Sequence, residues 1–136
     1  MIHRLSGKVL AFIRSQRVAR VATVGPDGTP HNVPVCVVFF SGRLYFASEK
    51  EARKVRNIRT HPTVALSFDE YSENWKHIAG VLVVGKGAVV DQGAAFRRVR
   101  QALYRKYKQY ARMAPIEEGQ SVIVGVTPTA TFSWGL

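Results

Sequence analysis

Four side chains suited to gripping an anion lie close together in the chain: Lys50, Arg53, Lys54 and Asn57. They follow the short apolar run Leu44-Tyr45-Phe46-Ala47, whose aromatic and aliphatic residues suit a buried strand. Ser48 with Glu51 three residues on matches a capping box, which predicts a helix opening at that point. On such a helix Lys50, Lys54 and Asn57 share one face, with Arg53 beside them. A helix start presents free N–H groups and partial positive charge, so flanking cations make an anion site, and phosphate is the usual occupant. A solvated basic helix is the commoner outcome of such a run. The stretch taken alone does not decide between the two.

Other chemistries find less support. Gly85-Lys86-Gly87 lacks the third glycine of a dinucleotide fingerprint, since Val90 occupies that position, and no Walker loop is present. His3, His31, His61 and His77 stand at no metal-ligand spacing, and Cys36 is alone, so no metal site is expected. The carboxylate pairs Asp69-Glu70 and Glu117-Glu118 fall in loop-like sequence, and no nucleophile elbow or Ser/His/Asp set is visible. If the protein does chemistry, a bound cofactor carries it. The stretch from Arg97 to Arg112 has many cations, no acid and interleaved tyrosines, which would suit nucleic-acid phosphates. Tyr107 and Tyr110, however, belong to its apolar stripe and are expected to pack. Trp75 and Trp134 lie near loop or chain ends and suit either packing or a wall against a planar ring.

Around these residues the hydrophobic pattern predicts an amphipathic helix to about residue 16, then a strand over Val18–Val24. The turn Gly25-Pro26-Asp27-Gly28 follows. Pro30–Phe40 reads as one strand, apolar on both faces and therefore buried on both sides. Pro34 within it argues for a bulge or an edge. Ser41-Gly42 reverses the chain into Leu44–Ala47 as a hairpin. His61-Pro62 ends the basic helix. Val64–Phe68, a glycine-punctuated Ile78–Val90 and Ser121–Thr127 read as strands. Asp69–Asn74 reads as an acidic loop, and Gly93 to about Tyr110 as a helix. About six strands and three helices, without βαβ alternation, favour a mainly β, α+β fold: an antiparallel barrel with accessory helices.

The 136 residues suit one domain, and 46% hydrophobic content suits a packed core. A single cysteine excludes an internal disulfide and points to a reducing compartment, hence a cytoplasmic protein. No apolar run is long enough to span a bilayer, and no signal peptide is visible. The net charge of +11 predicts acidic partners without choosing between nucleic acid, anionic lipid and a phosphorylated small molecule.

The order of these motifs adds a further reading. The run from Val18 through Gly25-Pro26-Asp27-Gly28-Thr29-Pro30-His31-Asn32-Val33-Pro34-Val35 resembles the opening of the pyridoxamine 5'-phosphate oxidase-like FMN-binding split-barrel family. Lys54-Val55-Arg56-Asn57-Ile58, followed by His61-Pro62-Thr63-Val64-Ala65-Leu66, resembles that family's next signature. The likeness covers nearly the whole chain and is closest to small members using FMN or the deazaflavin coenzyme F-420. It implies a six-stranded antiparallel split β-barrel that forms a homodimer, with cofactor sites at the subunit interface. It implies an oxidoreductase acting on a small-molecule redox substrate.

By position, the resemblance places Pro34, Val35 and Cys36 along the isoalloxazine and ribityl chain, with Ala47 and Ser48 beside them. Lys50, Arg53, Lys54 and Asn57 would hold the phosphate. Trp75 would cover the ring, and Trp134 would approach it from the partner subunit. The C-terminal arginine pattern of true pyridoxamine phosphate oxidases is missing, the chain ending Trp134-Gly135-Leu136, so vitamin B6 oxidation is not expected. Two other functions stay open: a non-catalytic carrier or sensor of flavin or haem, and a basic nucleic-acid-binding protein.

Overall fold

A computed structural model describes residues 3–136. Helix α1, Gly7–Ser15, is capped by Ser6, whose hydroxyl accepts from the Val9 N–H, and it buries Val9 and Ile13. Strands β1 (Ala19–Val24), β2 (Pro30–Val35), β3 (Val38–Phe40) and β4 (Arg43–Glu49) follow, then α2 (Arg53–Thr60) and β5 (Thr63–Glu70). A single 3₁₀ turn over Trp75–His77 leads into β6 (Ala79–Val90). Helices α3 (Ala94–Lys106) and α4 (Tyr110–Met113) precede the last strand, β7 (Ser121–Trp134).

All seven strands form one antiparallel sheet in the order β2-β1-β5-β6-β7-β4-β3. Its two edges, β2 and β3, are consecutive in sequence and separated only by Cys36 and Val37. So short a link spans only several ångströms, so the sheet must curl until its edges nearly meet. The split of the barrel therefore lies at Cys36–Val37. Val21, Phe46, Leu66, Phe68, Val83 and Val124 fill the interior, while α3 covers the outside of β3, β4 and β7 through Phe96, Val99 and Leu103.

The fold is the expected antiparallel split barrel, with seven strands among the described residues rather than six. The difference arises within Pro30–Phe40, which is two strands on opposite edges instead of one. Nor is this segment buried on both sides. Pro30, Asn32 and Pro34 are exposed along β2, every second residue of a strand that turns one face to solvent. Pro34 on an edge agrees with its missing N–H.

The capping box also fails. Ser48 and Glu49 belong to β4, the Ser48 hydroxyl donates to the Glu49 carbonyl, and α2 begins at Arg53 with Ala52 as an uncapped N-cap. Pairing of β4 with β7 as far as Glu49↔Ser121 holds these residues extended, so the sheet overrides the local helix signal. The acidic loop starts later than expected because β5 reaches Glu70. The helix expected over Gly93–Tyr110 stops at Lys106 and resumes as α4. The C-terminal aromatics are strand rather than tail, for β7 pairs with β6 as far as Gly80↔Trp134. The ring of Trp134 lies over Gly80, in space a Cβ there would fill. A bulge falls at Val84/Gly85, where glycine interrupts this strand.

Candidate cofactor groove

At the split, the ends of β2 and β4 and the start of α2 enclose a cavity of about 380 Å³, lined by Val18, Pro34, Val35, Cys36, Ala47, Lys54 and Tyr110. Ala47 and Tyr110 also line a second cavity of about 660 Å³, which runs on past Ser48, Glu49 and Lys50 to the segment after α4. Sharing Ala47 and Tyr110, they adjoin as one groove, which has Lys54 as its charged residue at the split and Glu49, Lys50, Glu51 and Glu117 beyond it. Each cavity by itself falls within the range of roughly 300–1,000 Å³ usual for small-molecule sites.

Of the residues singled out from sequence, Pro34, Val35, Cys36, Ala47 and Lys54 share the first cavity, and Ser48 and Lys50 lie in its continuation. The expected phosphate cluster divides. Lys50 sits in the turn before α2 instead of on the helix. Arg53, the first residue of α2, lines a separate cavity with Arg56, His31 and the β1–β2 turn. Asn57 also borders that cavity, but its side chain is buried and its amide donates to the Thr23 hydroxyl at 3.0 Å. Asn57 thus ties α2 to β1, and it shares no exposed face with Lys50 and Lys54. Trp75 and Trp134 are 75% and 47% exposed and are not among the groove-lining residues of this chain.

Sequence reasoning missed Val18 and Tyr110, and behind them a polar cluster that serves the split. Cys36 and Val37 lie outside the β ladders, so the backbone groups of buried Val37 need other partners. The Val37 N–H donates to the Tyr107 hydroxyl at 3.0 Å, and its carbonyl accepts from Lys106 Nζ at 2.7 Å. Burial, together with nearby Arg17, pushes the Lys106 ammonium down to about 8, while Cys36 acts in the opposite sense. Burial pushes Tyr107 and Tyr110 up to about 12. It also raises the Cys36 thiol, against the pull of Lys106 and Arg17. No local motif marks this cluster, because its bonds join residues 69 to 90 positions apart.

Comparison with known proteins now identifies the fold. The family model described as pyridoxamine 5'-phosphate oxidase matches residues 5–135. The chain belongs to that family. A 5a,11a-dehydrotetracycline/5a,11a-dehydrooxytetracycline reductase of Streptomyces rimosus is 29% identical over 96 residues, covering 67% of this chain and 68% of that protein. Among solved structures, an F420 reductase superposes with a TM-score of 0.72 at 23% identity, covering 94% of this chain and 98% of its own. HutZ, the haem storage protein of Vibrio cholerae, does so with a TM-score of 0.79 at 15% identity, covering 96% and 94%. At such identities the structures establish a shared split-barrel fold, and the fold alone. Family membership adds that this is a flavin-binding architecture.

Proposed function

We propose that the protein is a cytoplasmic flavin-dependent oxidoreductase that binds its cofactor in the groove at the interface of a homodimer. FMN is the expected cofactor and coenzyme F-420 the alternative. The observation that carries the reading is the composition of the groove. Val18, Pro34, Val35, Cys36, Ala47 and Tyr110 offer an apolar wall for a planar ring, and Lys54 supplies a cation at the first turn of α2. A flavin bound there would supply hydride or electron transfer to a small-molecule substrate. The chain's own part is to hold the phosphate by charge and helix dipole and to keep water from the ring. Exposed Trp75, Phe132 and Trp134, and the open β2 edge, give a second copy apolar surface to cover. The reductase relative supports the oxidoreductase assignment.

The test is a visible absorption spectrum of the purified protein, followed by titration with FMN and with F-420. Lys54→Ala is expected to weaken FMN binding by roughly tenfold or more, the loss of one charge-assisted contact, with the thermal midpoint unchanged. Equal affinity in that variant removes the phosphate assignment. A haem Soret band in place of flavin bands would turn the reading to a carrier. DNA binding that weakens with salt, without affinity for either flavin, would turn it to a nucleic-acid protein. Sedimentation tests the dimer.

A further inference from the structure

We propose that Lys106 and Tyr107, at the C-terminal end of α3, are positioning residues for the cofactor ring, fixing where Val18, Cys36 and Tyr110 stand along the groove. The inference rests on the groove being the ring site, as argued above.

Three chain segments meet at this corner. The first is the link between α1 and β1, which contains Arg17; the second is the split at Cys36–Val37; the third is the end of α3. The Tyr107 hydroxyl accepts from the Val37 N–H and lies 2.9 Å from the Arg17 carbonyl and 3.1 Å from the Val37 carbonyl. It has one proton to give. Lys106 already donates to the Val37 carbonyl at 2.7 Å, which leaves the hydroxyl proton for Arg17. Tyr107 is therefore a strut with two ends, accepting from one segment and donating to another. The Arg17 guanidinium closes the ring of contacts. It donates to the Lys106 carbonyl at 2.9 Å and lies 5.2 Å from the centre of the Tyr107 ring.

Each joined segment supplies the adjoining piece of wall. Val18 follows Arg17, Cys36 precedes Val37, and Tyr110 opens α4 directly after the corner. All three line the same cavity, whereas Lys106 and Tyr107 do not. The pair can thus act on a bound ring only through these neighbours. The strut also explains why the barrel splits here, since it takes up the backbone groups that a continued ladder would have used.

Tyr107→Phe removes the strut and little else. Riboflavin has the ring without the phosphate, so it separates positioning of the ring from capture of the anion. Tyr107→Phe and Lys106→Met are each expected to weaken riboflavin and FMN by the same factor, about tenfold, equivalent to one lost hydrogen bond. Lys106→Arg keeps the donor and should restore binding. Lys54→Ala should weaken FMN while sparing riboflavin. The visible band of flavin bound to Tyr107→Phe should differ from that bound to the native protein.

A second measurement needs no cofactor. Amide exchange at Val37 should quicken at least tenfold in Tyr107→Phe, with the amides of β6 unchanged. If the native protein binds both flavins and Tyr107→Phe binds them equally well, this inference fails and the cofactor reading stands. Unchanged Val37 exchange also overturns it. If the native protein binds none of riboflavin, FMN and F-420, the cofactor reading fails and takes the ring-positioning role with it.

Discussion

Two helices serve the groove, one by its first turn and the other by its last, and they do so in different ways. Helix α2 meets it with its first turn and puts Lys54 directly into the wall. Helix α3 meets it with its last turn and works through backbone groups of other segments. Lys54 follows Ala47 closely in the chain, so α2 reaches its place by a short turn. The α3 corner reaches Val37 and Arg17 across 69 to 90 positions of chain, with β5 and β6 in between. The first arrangement is a local device for charge, the second a long-range device for shape. The contrast predicts that damage to α3 should reach the ring without touching the phosphate, and that damage to α2 should do the reverse.

The largest expected effect comes from undocking α3. Phe96 is fully buried against β3, β4 and β7, and Phe96→Ala should cost about 3–5 kcal/mol in urea unfolding. Riboflavin affinity should fall with it, because Lys106 and Tyr107 ride on the same helix. If riboflavin affinity stays native while the unfolding midpoint drops, α3 is a cover for the barrel and nothing more.

On the α2 side the informative position is Asn57. Replacing it by Ala leaves the Thr23 hydroxyl buried without its donor, which should cost about 1–3 kcal/mol of stability. Riboflavin affinity should survive, because the amide is turned toward β1. A loss of FMN affinity with stability intact would restore Asn57 to the phosphate site.

These two positions show what the sequence made legible. The antiparallel barrel, the β3–β4 hairpin at Ser41-Gly42 and the stop at His61 follow from periodicity and turn chemistry, and the structure carries all three. Five of the residues assigned by resemblance share one cavity, because the ends of β2 and β4 and the start of α2 come together at the split. The break at Cys36–Val37 is hidden, since Pro34 signals an edge or bulge without marking where the strand ends, and the partners of Val37 come from a helix end far along the chain. Ser48 and Glu51 misled for the converse reason: a good local cap lost to the ladder with β7. Tyr107 reads as core because it lies on an apolar stripe. A stripe reports which face is buried and is silent on whether a hydroxyl finds partners there.

The smallest effect separates the two ends by pH. Lys106 has its folded value lowered from 10.5 to about 8. Between these values the unfolded chain binds more protons than the folded one, so this residue adds stability as pH rises from 8 toward 10.5 and loses it as pH falls. Tyr107 and Tyr110 are raised from 10.0 to about 12, so their contribution is complete below pH 10 and disappears from 10 to 12. The α3 corner should therefore give a stability profile that climbs above pH 8 and turns down beyond about 10. Lys106→Met should flatten the climb, and Tyr107→Phe should soften the descent, each read from thermal midpoints relative to the native protein. Arg17 and Cys36 face the same ammonium, so Arg17→Met should raise the Lys106 value and shift the foot of the climb to higher pH. Lys54→Ala should leave the profile as it is. A Lys54→Ala profile altered in the way Lys106→Met alters it would mean that the two helix ends are one electrostatic unit, and the division between a charge device and a shape device would fail.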